Sequence, residues 1–233
     1  TEKILFSADG FGKFGALDVE EDWDCEARRY YMNIVGKYGT SVQALLKKAA
    51  SLDIQMICPL HGPILKENLE HYLEKYDIWS SYRPENEGVT IAYASIHGNT
   101  AAAAKKMGEM LEARGEKVSL FDLSRDDMAE AIEDAFRYDK LILAAPTYDA
   151  ALFPCMEDFL YHLKIKNYQK RTIGIIENGT WAPMAGKLMK AYAEQFKDCT
   201  VIEPVVTIKS TMNESTVKAM EELANQILQS KAE

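Results

Sequence analysis

The chain is poor in cysteine and has no paired cysteines. Among its 233 residues only Cys25, Cys58, Cys155 and Cys199 occur, far apart and with no C-x-x-C. That spacing excludes a disulfide framework and a zinc knuckle, and predicts free thiols in a reducing cytoplasm. Long apolar runs are missing as well. No segment approaches the length needed to span a bilayer, and no signal peptide precedes the first charges, so no membrane role is expected. Basic residues are outnumbered, 27 Lys and Arg against 36 Asp and Glu, for a formal net charge of −9. Such a balance argues against non-specific nucleic-acid binding, which neutralises phosphates with Lys and Arg. There is no internal repeat and no low-complexity tract. The opening stretch "TEKILFSADGFG" has no initiator Met and enters an apolar strand almost at once, as a fragment would.

What is present falls into two unequal parts. A break is predicted at "SSYRPENEGVT", where Pro, Asn, Glu and Gly interrupt every periodicity. Before it the patterns predict a strand over 3–6, an acidic loop over 18–26, helical stretches from about 27 to 52 and a second strand over 54–57. A helix follows over 66–79, with Leu69, Tyr72, Leu73 and Tyr76 at helical spacing. Two strands and several helices make a poor core alone. After the break, apolar runs at 89–94, 118–123, 141–145, 172–176 and 201–206 alternate with helical patterns at about 100–114, 126–136, 156–163, 183–196 and 215–228. Strands apolar throughout and separated by helices predict a parallel sheet covered on both faces. Five such units fit an α/β, flavodoxin-like, doubly wound five-stranded parallel sheet of order 2-1-3-4-5.

Three loops at the carboxyl ends of those strands carry the chemistry. The first, "ASIHGNTAAAAKKM", is a tight turn from strand to helix containing Ser95, Ile96, His97, Gly98, Asn99 and Thr100. Its backbone N–H groups and the positive end of the helix suit a phosphate, with the Ser95, Asn99 and Thr100 side chains as uncharged donors. Taken alone, helix capping by Asn99 or Thr100 explains this loop equally well. The loop after the third strand, "APTYDAALFP", contributes Pro146, Thr147, Tyr148, Asp149 and Ala150. The loop after the fourth, "ENGTWAPMAG", contributes Asn178, Gly179, Thr180, Trp181 and Ala182. In this topology all three converge on the crevice beside strand 1. A phosphate cradle flanked by two aromatic residues fits a flat ring system bearing a terminal monophosphate, namely FMN. A dinucleotide would want G-x-G-x-x-G after the first strand and ATP a Walker lysine, and neither occurs there. Ordinary packing is the competing account of Trp181 and Tyr148, and simple exposure that of His97.

One histidine outside this set stands on a stiff turn: His61 in "ICPLHGPIL", between two prolines. On its own it is equally a metal ligand, a base or a residue satisfied by its neighbours.

Taken in order, "FSADGFG", "CPLHGP", "SIHGNT", "APTYDAALFP" and "NGTWAP" resemble the carboxyl-terminal part of a flavodiiron protein, or A-type flavoprotein. The resemblance covers essentially the whole chain. It implies that residues 1–83 are the end of a metallo-β-lactamase-like di-iron domain, 84–88 a linker and 89–233 a flavodoxin-like FMN-binding domain. It implies reduction of dioxygen to water, of nitric oxide to nitrous oxide, or both, with electrons from a rubredoxin-like or other small donor. A head-to-tail homodimer or a tetramer is implied for the intact protein. By the same resemblance Asp9, in the D-x-F-G segment, and His61 are iron ligands. The family's H-x-E-x-D-H cluster does not occur, and His71 and His162 fall in predicted helices, so an incomplete di-iron site is expected here. The fourth-strand loop also departs from the family's S-Y-G-W form, keeping the tryptophan but adding Pro183. A stand-alone flavodoxin-type carrier, a metallo-hydrolase with an accessory flavodoxin domain and a non-catalytic binding module are the alternatives.

Overall fold

The structure is a computed structural model that describes residues 2–230. It divides into two compact units, Thr1–Glu85 and Asn86–Glu233.

In unit 1, strand β1 (Ile4–Ala8) leads through a loop to helix α1 (Trp23–Tyr30). Residues 18–26 are predicted as a loop, but α1 begins inside it, with Asp22 capping the helix by accepting from the Asp24 N–H. The chain continues through a widened turn at Tyr31–Val35 and a tight one at Gly36–Tyr38 into α2 (Gly39–Ala49), then β2 (Met56–Pro59) and α3 (Leu69–Ser80). Helix α3 starts later than its periodicity predicts because Asn68 sits in the left-handed region, at φ 49°. Strands β1 and β2 pair in parallel, with Leu5 opposite Ile57. The core is aromatic: Phe11 stacks on Tyr76 at 4.2 Å, and Tyr31 and Trp79 close around them. Beside the rings lies a buried charge cluster. Arg28 forks onto Glu85 at 2.7 and 3.1 Å, and Lys75 and the Trp79 indole N–H reach the same carboxylate at 2.7 Å.

Unit 2 is built from β3 (Asn86–Tyr93), α4 (Asn99–Glu112), β4 (Val118–Asp122), α5 (Met128–Arg137), β5 (Tyr138–Tyr148), β6 (Ala151–Leu152), α6 (Pro154–Ile165), β7 (Thr172–Asn178), α7 (Ala185–Ala193), β8 (Thr200–Val201), β9 (Val206–Ile208) and α8 (Glu214–Gln229). The sheet runs β4-β3-β5-β7-β8, with β9 also on β7 and every one of these pairings parallel. This is the 2-1-3-4-5 order of a flavodoxin-like sheet. Strand β7 is buried along its whole length, as a central strand covered on both faces should be.

Four details differ from the expectation. Asn86 to Gly88, read as part of a linker, already belong to β3. The third strand extends to Tyr148 and turns back through Asp149 and Ala150, at φ 50° and 57°, into the short antiparallel β6. Positive φ at both central residues is the hairpin geometry that matches strand twist. The fifth strand is two short pieces rather than one run, interrupted around Pro204, which has no N–H to give a ladder. Helix α7 begins at Ala185 rather than Pro183, because Met184 at φ −125° lies outside helical geometry; the Thr147 hydroxyl accepts from the Met184 and Ala185 N–H groups there.

Candidate functional site

The predicted loops meet at the carboxyl ends of β3, β5 and β7, beside the β3/β5 switch point. There they line a cavity of about 540 Å³, a size suited to a small-molecule ligand. Ser95, Ile96, His97, Asn99 and Thr100 form one wall. Pro146, Thr147, Asp149 and Ala150 form the second, and Asn178, Gly179, Thr180 and Trp181 the third. Gly98, Tyr148 and Ala182 lie outside the lining. Tyr148, expected as a flat wall, packs edge-on against Phe153 with ring centres 5.4 Å apart. Ser210 lines the cavity too, and sequence reasoning missed it.

The first wall is an uncapped helix start. Gly98 precedes α4 at φ 87°, and no side chain caps the helix. The Gly98 N–H donates to Ser95 Oγ at 3.1 Å, so the N–H groups of Asn99, Thr100 and Ala101 are those without intrahelical acceptors. A side chain at position 98 would enter open space, so glycine serves the turn geometry there and leaves the loop slim. Thr100 is buried and fixed, whereas Ile96 and His97 are exposed on the rim. No Lys or Arg lines the cavity, so an anion would be held by neutral donors and the helix end.

The second and third walls are locked together. The Thr147 hydroxyl accepts from the Met184 and Ala185 N–H groups at 2.8 and 3.1 Å. Glu177, buried at the end of β7, accepts from the Gly186 N–H at 2.7 Å and from the Thr207 hydroxyl at 2.8 Å. These carboxylate and hydroxyl acceptors cap the first turn of α7 from neighbouring strands. A Cβ on Gly186 would come within 2.9 Å of the Glu177 carboxyl, so the approach requires glycine. Trp181 is held on this framework yet is 89% exposed, its ring standing free at the cavity edge. Residues in the left-handed region crowd the same place: Asp149, Ala150, Ala182 and Ser210. Backbone strain of this kind, of order 1–3 kcal/mol per residue, collects at ligand sites.

This cavity satisfies what FMN demands. Uncharged donors and a helix start offer a phosphate seat, the opening at Gly98 leaves room for it, and an exposed indole offers a face to a flat ring.

In unit 1 the two predicted metal ligands do come together. His61 Nε2 stands 3.6 Å from Asp9 Oδ1, both more than half exposed. Their turns are laced by backbone bonds from Lys13 N–H to His61 C=O and from Leu60 N–H to Ala8 C=O, at 3.2 and 2.9 Å. Tyr30 donates to Asp9 Oδ1 at 3.3 Å. Burial, then the Asp9 charge, push its phenol up to about 12. Among the described residues no group of three or more His, Cys, Asp or Glu could hold a metal ion. One carboxylate and one imidazole do not supply a di-iron donor set. His71 lies instead against Asp24 at 2.6 Å, and His162 stands 3.5 Å from Asp158 one helical turn away.

Residues 90–226 match the family described as Flavodoxin domain. The chain belongs to that family. The flavodoxin domain and the segment before it together align with longer flavoproteins. The coenzyme F420H(2) oxidase of Methanothermobacter marburgensis is 28% identical over 172 residues, 69% of this chain and 42% of that protein. The rubredoxin oxygen:oxidoreductase of Desulfovibrio gigas superposes with a TM-score of 0.90 at 21% identity, over 97% of this chain and 59% of that one. The flavodiiron protein of Giardia intestinalis does so with a TM-score of 0.90 at 19% identity, over 97% and 58%. The two solved structures, 21% and 19% identical, show the same fold, and the chain spans less than two thirds of the length of each protein compared. No helix among the described residues is long and apolar enough to cross a membrane.

Proposed function

We propose that this chain is the FMN-binding, electron-transfer portion of a flavodiiron oxidoreductase that reduces dioxygen to water, nitric oxide to nitrous oxide, or both. The observation that carries this reading is the convergence of an uncapped helix start, a locked pair of loops and the exposed Trp181 on one cavity at the sheet's switch point. The oxidase and oxidoreductase names of the compared proteins support it.

In this reading the N–H groups of Asn99, Thr100 and Ala101, with the Ser95 and Thr100 hydroxyls, hold the phosphate. Trp181 covers one face of the ring system, and the backbone over 147–149 and 178–182 borders its reactive edge. When bound, FMN supplies the redox chemistry, and the protein supplies orientation and electrostatics. Residues 1–83 are assigned to the end of a metallo-β-lactamase-like domain and 89–233 to the flavodoxin-like domain. Asp9 and His61 are assigned as iron ligands that need further donors to complete a centre. A rubredoxin-like donor, a head-to-tail homodimer or a tetramer, and a cytoplasmic setting suited to four free cysteines complete the proposal.

The test is reconstitution. Protein mixed with excess FMN and desalted should retain stoichiometric flavin, read by visible absorption and quenched flavin fluorescence. A preparation that stays colourless overturns the assignment. Metal analysis tests the other half: two irons bound per chain would overturn the incomplete donor set.

A further inference from the structure

A fourth loop reaches the cavity, the segment from Lys209 to Asn213 between β9 and α8, and it is tied there from two sides. Asn178, the last residue of β7, receives the Ser210 N–H on its Oδ1 at 3.0 Å and donates from Nδ2 to the Ser210 C=O at 2.9 Å. Three residues before Ser210, the Thr207 hydroxyl donates to Glu177. A side-chain amide that satisfies both backbone groups of one residue fixes that residue's position and orientation. It holds Ser210 at φ 71°, a conformation that disfavours any residue with a Cβ. The Ser210 hydroxyl is thereby set beside the first loop, where its oxygen accepts from Asn99 Nδ2 at 3.4 Å. With its oxygen engaged, the hydroxyl keeps a proton to donate, and the residue lines the cavity.

Resting on the FMN assignment above, we infer that Ser210 is a binding residue for the phosphate end of the ligand. Its hydroxyl donates to a phosphate-monoester oxygen, and Asn178 is the positioning residue that presents it. This adds a donor from the far end of the sequence to a cradle otherwise built from 95–101. It also explains why a strained serine occupies a place where glycine would fold more easily.

The experiment compares FMN with riboflavin, which has the same ring and ribityl chain but no phosphate, by fluorescence titration of wild-type protein, Ser210→Ala and Ser210→Gly. The expected result is that both substitutions weaken FMN about 10- to 100-fold, the effect of one hydrogen bond to a charged oxygen, and leave riboflavin within about twofold. Ser210→Gly separates binding from folding, since glycine relieves the strain and should raise the unfolding temperature while still losing FMN affinity. FMN affinity unchanged in both variants overturns the inference, as does an equal loss for riboflavin. Wild-type protein that binds no FMN would overturn the prior assignment instead.

Discussion

Each half of the molecule buries an arginine, and the two are satisfied by different chemistry. Arg28 in unit 1 forks onto the Glu85 carboxylate, which also collects Lys75 and the Trp79 indole. Arg171 in unit 2 donates instead to backbone carbonyls, those of Tyr138, Gln169 and Lys170 at 2.7 to 3.1 Å and that of Phe136. The consequence is a difference in what can weaken each half. Burial alone would raise the Glu85 carboxyl, but Arg28 and Lys75 hold it down at about 2. Carbonyls do not titrate. The buried arginine of unit 1 therefore rests on an ionised carboxylate, whereas these hydrogen bonds of Arg171 go to groups that do not titrate, with Asp139 acting on it through its charge. The cores differ in the same sense. Unit 1 is closed by a few large rings, while Phe6, Leu17, Leu60 and Ile64 stay exposed. Unit 2 is a continuous parallel sheet under helices, with its strand residues Val89, Ile91, Ile142, Ala144 and Ile176 fully buried. A small core resting on a few large side chains is more vulnerable to any one loss.

The largest test removes the keystone ring. Trp79→Ala should cost ~3–5 kcal/mol, through lost packing and the hydrogen bond to Glu85. Hydrogen exchange should show faster exchange at amides of α1 and α3 with β5 and β7 unchanged. Equal loss of protection in both units would break the comparison.

Acid provides the next test. The Glu85 carboxyl lies at about 2 in the folded protein against an ordinary 4.5. The unfolded chain therefore binds its proton first, and the stabilisation is fully present above about 4.5 and lost as pH falls towards 2. The shift corresponds to about 3 kcal/mol. Denaturant unfolding from pH 7 to 2, followed by probes in each unit, should show this slope in unit 1 and a flatter one in Glu85→Gln. The same slope in the Gln variant would assign the acid sensitivity elsewhere.

The smallest change probes the site half alone. Thr100→Val, close in size, should weaken FMN binding by ~1–3 kcal/mol. Circular dichroism melting should leave unit 1 where it was, and unchanged FMN affinity would mean that this hydroxyl does not touch the phosphate.

Much of unit 2 was legible because its signals are local and repeated. Short apolar runs between helical patterns gave the five strands in order, and the topology rule placed the loops of Ser95, Thr147 and Trp181 on one crevice. What escaped was set by backbone geometry that composition does not display. Asp149 and Ala150 do not look like an obligatory hairpin turn, yet both take positive φ. Its position in the loop predicts Tyr148 as a ring wall, but in the structure it packs edge-on against Phe153. Ser210 carries no motif. Its one available signal was its place after the last strand of the sheet, where the same topology rule brings a loop to the site. In unit 1 the motifs around Asp9 and His61 foretold two residues that the fold does bring together, but periodicity missed the Asp22 cap and the start of α3.

By itself the sequence determined the alternation of buried strands and covering helices, the small residues of the phosphate loop, and a chain that lacks paired cysteines and excess positive charge. These follow from side-chain chemistry read over a few neighbouring residues. Only the tertiary structure decided which side chains close the site. Thr147 and Glu177 cap a helix that neither belongs to, and Asn178 carries Ser210 to Asn99 across 111 positions of sequence. The reason is physical: a hydrogen bond between distant residues is fixed by strand order and register, and no stretch of sequence on its own records either.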